Sequence, residues 1–222
     1  MNLQRDIIIN EIKKKLKKDK NIIFCSADFG AASLDELRNK NSNQFIHCGI
    51  SEQAMFDIAS GFALDNRKVF VYAMAPFISL RALEQIKCGP GIMNLPICII
   101  SVGIGLGYAN AGPTHYACED LVSLRAIPNL NIYTFSDNVS AKKIIDQILK
   151  KQSFSYLRLD RSFLPDLSHT LKFTGTKFRT SSDFKNFKNK TVLISHGYMV
   201  HECIKLMKSN RKKFEVIDLI CS

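Results

Sequence analysis

Apolar residues in this chain fall into short, nearly unbroken runs, separated by stretches in which they recur every three or four positions. The runs Asn21 to Cys25, Gln44 to Cys48, Lys68 to Ala73, Ile97 to Val102, Asn131 to Phe135 and Tyr156 to Leu159 predict strands, most of them bounded by Gly, Pro, Asn or Asp. Between them, helical spacing covers Ser51 to Leu64, Pro76 to Cys88, Glu119 to Ala126 and Ser140 to Lys150. Ahead of the first strand, Leu3, Ile7, Ile8, Ile12 and Leu16 describe one more amphipathic helix. Ser51 and the pair Ser136-Asp137 suit helix starts, and Pro76 suits a first turn because no backbone donor is needed there. Strand and helix alternation with strands apolar on both faces predicts an α/β fold, a mainly parallel sheet with helices on both faces.

The pattern changes after residue 167. Residues 168–190 mix Ser, Thr, Lys, Asn and Phe without a period and read as a linker. A strand Thr191 to Ser195, a helix Val200 to Met207 and a strand Phe214 to Leu219 follow, too short a unit to cover both faces of its own sheet. The expected organisation is a domain over 1–167, a linker over 168–190 and the beginning of a second α/β domain over 191–222.

With 222 residues, 46% of them hydrophobic, the chain has material for one full core and a smaller second unit. No apolar run reaches membrane-spanning length, and the start Met1 to Asp6 lacks the features of a secretion signal, so the expected location is the cytoplasm. Seven scattered cysteines without a Cys-x-x-Cys pair read as reduced thiols, and His196 and His201, five apart, do not share a helix face as zinc ligands. The net charge of +11 is concentrated at Lys13 to Lys20, Lys185 to Lys190 and Lys205 to Lys213. On the first helix this is a solvated face; attraction of phosphorylated sugars or docking to an acidic partner are its remaining uses. A nucleic-acid binder, whose affinity would fall steeply with salt, is the weakest alternative.

Two segments carry candidate chemistry. Cys48-Gly49-Ile50-Ser51-Glu52-Gln53 and Gly112-Pro113-Thr114-His115, the latter followed by Glu119-Asp120, each set an ionisable residue beside glycine where a strand hands over to a helix. That is where parallel sheets bind ligands. With Leu157-Arg158-Leu159-Asp160-Arg161 further on, these motifs resemble the transketolase family of thiamine diphosphate enzymes. The resemblance covers the pyrimidine-binding domain, roughly residues 20 to 167, and is nearest in form to the separate C-terminal subunit of a split transketolase.

The resemblance implies thiamine diphosphate as cofactor and Glu52 as the carboxyl beside its aminopyrimidine, in a site dry enough for it to donate a hydrogen bond. Taken alone, Glu52 reads first as an acidic first-turn residue favoured by the helix dipole, a role compatible with pointing into a cleft. Phe77, at the turn after the strand ending at Ala73, is implied as the ring stacking on the pyrimidine. Tyr72 is the second choice, and a core role is the alternative for both rings. His115 matches the histidine that lies near the thiazolium and hydrogen-bonds substrate oxygens, the alternative being a structural histidine. Arg161 matches an arginine that clamps the sugar phosphate, and reads equally as an ion-pair partner of Asp160. Asp28 corresponds to an acidic position near the cofactor or is a turn residue ahead of Gly30, and His47 faces the cleft or turns away from it. Glu119 and Asp120 read as the start of a helix.

Departures from the family pattern are specific. Ala111 stands where transketolases carry an acidic residue that recognises a donor hydroxyl, and Gly103 replaces a histidine expected earlier in that loop. The Gly-Asp-Gly motif and following Asn that hold the diphosphate and Mg2+ do not occur in the chain. The resemblance therefore implies a separate partner subunit carrying the diphosphate-binding domain, an active site at their interface, and self-association into two copies of each. The implied reaction is transfer of a two-carbon ketol unit between sugar phosphates. The alternatives are a deoxyxylulose phosphate synthase-like or pyruvate dehydrogenase beta-subunit-like keto-acid enzyme, and a non-catalytic homologue that binds only a partner.

Overall fold

A computed structural model describes residues 3–40, 43–210 and 212–221; the readings made at Met1-Asn2 and at Ser222 lie outside them. Six strands, β1 (Ile22–Ala27), β2 (Phe45–Gly49), β3 (Lys68–Met74), β4 (Ile97–Val102), β5 (Asn131–Thr134) and β6 (Ser155–Leu159), form a sheet in the order β2-β1-β3-β4-β6-β5. Every pairing in it is parallel.

The apolar runs feed two cores because successive strand residues point to opposite faces. Phe24, Phe70, Tyr72, Cys98 and Ile100 join one core, which is closed by α1 (Gln4–Leu16), α2 (Ala32–Lys40) and α6 (Asn138–Lys150). Ile23, Cys25, Val69, Val71, Ile97 and Ile99 join the other, closed by α3 (Glu52–Leu64), α4 (Leu83–Ile86) and α5 (Asp120–Leu124). On α1 the buried Ile8, Ile12 and Leu16 lie opposite exposed Lys14, Lys15, Lys17 and Lys18, and Lys14 and Lys142 both bond Glu11, at 2.8 and 2.9 Å. Helix α6 starts on a reciprocal cap, with the Ser140 amide donating to Asp137 Oδ1 at 2.8 Å and the Asp137 amide donating to Ser140 Oγ at 3.4 Å.

Two local expectations are revised. The helix expected over Pro76 to Cys88 is interrupted: Phe77–Arg81 and Lys87–Gly91 are π-helical, on either side of α4. Pro90, which offers no amide, lies in the second of them. Residues 168–190 also do more than link: β7 (Lys172–Thr174) and β8 (Phe178–Thr180) form an antiparallel hairpin. The hairpin extends β9 (Thr191–Ser195) and β10 (Phe214–Leu219), themselves parallel, into a second sheet of order β7-β8-β10-β9, with α7 (Met199–Ser209) packed on it.

The two sheets meet at a buried polar cluster. Arg179 on β8 donates to Asp218 on β10 at 2.9 Å, to Asp137 at the start of α6 at 2.9 Å and to Ser136 at 2.6 Å, and all four residues are fully buried. The backbone amide of Thr134 on edge strand β5 donates to the Ile220 carbonyl at 2.9 Å, extending the contact.

Candidate active site

The carboxyl ends of β1, β2 and β3 and the 104–117 loop after β4 supply nearly all the candidate residues. At the end of β2 the register with β1 skips Cys48, since Ser26 pairs with His47 but Ala27 pairs with Gly49. This bulge turns the chain into α3. Gly49 completes the turn at a φ of 64°, in the left-handed region, and a Cβ there would meet no atom within 4 Å. The demand on Gly49 is thus purely one of backbone conformation. Gly49→Ala is expected to lower stability by about 1 kcal/mol, read from the urea midpoint at unchanged slope.

Glu52, the first residue of α3, is 3% exposed and its carboxylate accepts a hydrogen bond from Arg81 Nη1 at 2.6 Å. The π-helical turn brings Arg81 back over Phe77, with the guanidinium carbon 4.5 Å from the ring centroid. The Phe77 ring in turn meets His115 edge-on, centroids 5.3 Å apart and planes at 72°. Nδ1 of His115 is 3.0 Å from Thr114 Oγ1. Glu52, Phe77 and His115, far apart in sequence, therefore form one contiguous group with Arg81 at its centre. Arg81 was not singled out in the sequence; its only signal is the four-residue interval from Phe77 on a helical turn.

Asp28 and His47 make a second pair at the adjoining strand ends, with His47 Nε2 3.9 Å from Asp28 Oδ1 and both side chains partly open to solvent. The Asp28 amide donates to the Gly49 carbonyl at 2.9 Å, which ties this pair to the turn before Glu52.

Tyr72 belongs to the opposite core. It lies on the face of β3 away from α3, is fully buried, and stacks on Phe29 at 5.6 Å and 16°. Burial pushes its phenol well above the usual range. Strand alternation removes it from the Glu52 cluster, so its role as second-choice stacking ring is corrected to one of packing.

The 104–117 loop is closed by reciprocal backbone hydrogen bonds between Gly105 and Ala117, at 3.2 and 2.9 Å. Arg161 rests on this loop: its guanidinium lies 4.5 Å from the Tyr108 ring centroid and donates to the Gly107 carbonyl at 3.3 Å and to Asn110 Oδ1 at 3.4 Å. Asp160 Oδ1 instead accepts the Ser162 amide at 2.7 Å. Tyr108 also explains Gly103, which has a φ of 82° and lies against the tyrosine ring so closely that any Cβ would collide with it.

Asp120 does start a helix and is fully buried doing so. Arg158 grips its carboxylate through Nε and Nη2 at 2.8 and 3.0 Å, and Tyr156 donates to it at 3.0 Å. This anchors the segment following His115 to β6. Among the described residues no group of three His, Cys, Asp or Glu is placed to hold a metal ion, and no helix is long and apolar enough to cross a membrane.

Comparison with known proteins bears on the family and the fold. The B subunit of apulose-4-phosphate transketolase from Phocaeicola vulgatus is 31% identical over 152 residues, 68% of this chain and 49% of that protein. A putative transketolase C-terminal section from Methanocaldococcus jannaschii is 29% identical, over 65% of this chain and 46% of that protein. The chain thus spans about half the length of these curated relatives. Among solved structures, a split-gene transketolase described as an inactive beta4 tetramer superposes with a TM-score of 0.81 at 20% identity, covering 98% of this chain and 70% of that one. Campylobacter jejuni transketolase superposes with a TM-score of 0.86 at 24% identity, covering 99% and 35%. The model of the transketolase pyrimidine binding domain matches residues 4–166, and the chain belongs to that family.

Proposed function

We propose that this chain is the pyrimidine-binding subunit of a two-chain, thiamine diphosphate-dependent transketolase that transfers a two-carbon ketol unit between sugar phosphates. The carrying observation is the contiguous group of Glu52, Phe77 and His115 at the carboxyl edge of the sheet. A carboxyl shielded from water, a flat ring face and an imidazole are what the aminopyrimidine and a polar substrate beside it require, so the residues present fit that half of the cofactor. When bound, the cofactor supplies the nucleophilic carbon that takes up the two-carbon fragment. Glu52 hydrogen-bonds the pyrimidine, Phe77 fixes its plane and His115 holds substrate oxygens. Arg161, on the far side of the 104–117 loop, meets the phosphate, while Asp28 and His47 line the rim.

The diphosphate and Mg2+ are assigned to a partner chain. Ile50, Ile58 and Leu64 on or beside α3, and Leu80, Ile92 and Met93 after it, leave apolar side chains 40–74% exposed, surface suited to such a partner. The names of the apulose-4-phosphate and split-gene relatives, each one chain of a divided enzyme, support the same arrangement. Ala111 and the Tyr108–Gly103 contact favour a donor other than the common ketose phosphates, and keep a keto-acid enzyme as the second reading.

Calorimetric titration of thiamine diphosphate with Mg2+ tests the proposal, first into this chain and then into its mixture with a diphosphate-domain partner. Binding is expected only in the mixture and about tenfold weaker for Phe77→Ala. Absence of binding in both settings would overturn the assignment.

A further inference from the structure

Arg81 occupies both groups that the proposed function reserves for the aminopyrimidine. A single guanidinium bonds the Glu52 carboxylate at 2.6 Å and covers the Phe77 face at 4.5 Å. It does so from the surface: the Arg81 side chain is 41% exposed, whereas that of Glu52 is 4% exposed. A planar cation resembles, in shape, the flat amino-substituted ring that would lie between the same two residues. While the guanidinium holds this carboxylate oxygen and this ring face, a ring cannot use the same oxygen and the same face.

We propose that Arg81 is a gate on the pyrimidine pocket, holding Glu52 and Phe77 in place while the pocket lacks its ligand and swinging into solvent when the ring enters. This rests on the reading of the chain as a thiamine diphosphate subunit and adds a competition internal to it. The buried partner, Glu52, is never left without a hydrogen-bond partner: as Arg81 leaves, the carboxyl takes up a proton from solvent and donates it to the ring nitrogen of the ligand, which avoids the cost of an uncompensated buried carboxylate. The exposed partner moves freely, because guanidinium regains water as it leaves. The π-helical turn is what allows this, since a side chain four residues after Phe77 on such a turn reaches back over the ring and out again.

The gate reduces apparent affinity by the fraction of time it is closed. In the mixture with the diphosphate-domain partner, calorimetry with thiamine diphosphate and Mg2+ is expected to show Arg81→Gln binding about tenfold tighter than wild type, and Arg81→Lys falling between them because it keeps charge but not the planar fork. A residue with only a structural role would not raise affinity on removal. Thermal melting of each ligand-free variant verifies folding, and Arg81→Lys carries the comparison if Arg81→Gln fails to fold. Unchanged or weaker binding by the folded variants, alongside normal wild-type binding, would overturn the gate and leave the proposed function standing. Absence of binding by wild type and variants alike would overturn both.

Discussion

Under the proposed function, Glu52→Gln is expected to lower ketol transfer by the assembled enzyme about a thousandfold, the scale of a lost proton-handling group. Glutamine keeps the length, the polarity and one oxygen for Arg81, but it cannot exchange a proton with the pyrimidine. Folding is expected to survive, because α3 is held by Met55, Phe56, Ala59 and Ala63 in the core rather than by its first residue. Removing the charge weakens the attraction to Arg81, but that guanidinium is half-exposed, so stability changes by less than about 1 kcal/mol. Steady-state turnover with a ketose phosphate donor, set against the melting temperature, separates these effects. Wild-type turnover in a folded Glu52→Gln variant would remove Glu52 from the chemistry.

Arg179→Ala carries the largest expected cost in stability, about 3–5 kcal/mol, the range for breaking a buried ion pair on one side. The substitution leaves Asp137 and Asp218 fully buried without their shared counter-ion, and strips a partner from Ser136. Even with Arg179 present, burial outweighs its pull and holds the Asp218 carboxyl above the usual range. A carboxyl whose folded value is raised contributes most to stability when protonated in both states, and that contribution is lost as pH rises through the folded value. The deficit of Arg179→Ala is therefore expected to narrow on acidification from pH 7 towards pH 5, as the orphaned Asp218 carboxyl takes up a proton. Urea unfolding at the two pH values reads both effects. A deficit under about 1 kcal/mol that is indifferent to pH would show that the sheets are held together by something else.

The first sheet was legible because its strands are apolar on both faces, and such runs stand out whatever they pair with. Helix α2 was missed since only Leu34 and Leu37 mark its buried side. The hairpin β7–β8 escaped for a different reason: each strand has three residues of mixed polarity, and its identity comes from pairing with β10 some forty residues later. Arg179 was hidden in the same polar stretch. At the site, Glu52, Phe77 and His115 were marked by short motifs, yet their mutual contact depends on a π-helical turn whose apolar spacing is that of an ordinary helix. Tyr72 could have been excluded from sequence alone, as it alternates in phase with Phe70 and out of phase with Val71 and Ala73, the residues beneath α3.

The contact between Gly103 and Tyr108 constrains how this loop can change over time or by design. A histidine placed at position 103 meets the tyrosine ring and a backbone suited only to glycine, so that step alone damages the loop before it can confer any new substrate. Shrinking Tyr108 first withdraws the platform under Arg161 while gaining nothing at position 103. Each single step is a loss, and the left-handed backbone at position 103 keeps its cost even when both are made. A lineage with this arrangement is held to the present shape of the loop by the order in which changes can occur, whatever ligand the loop meets.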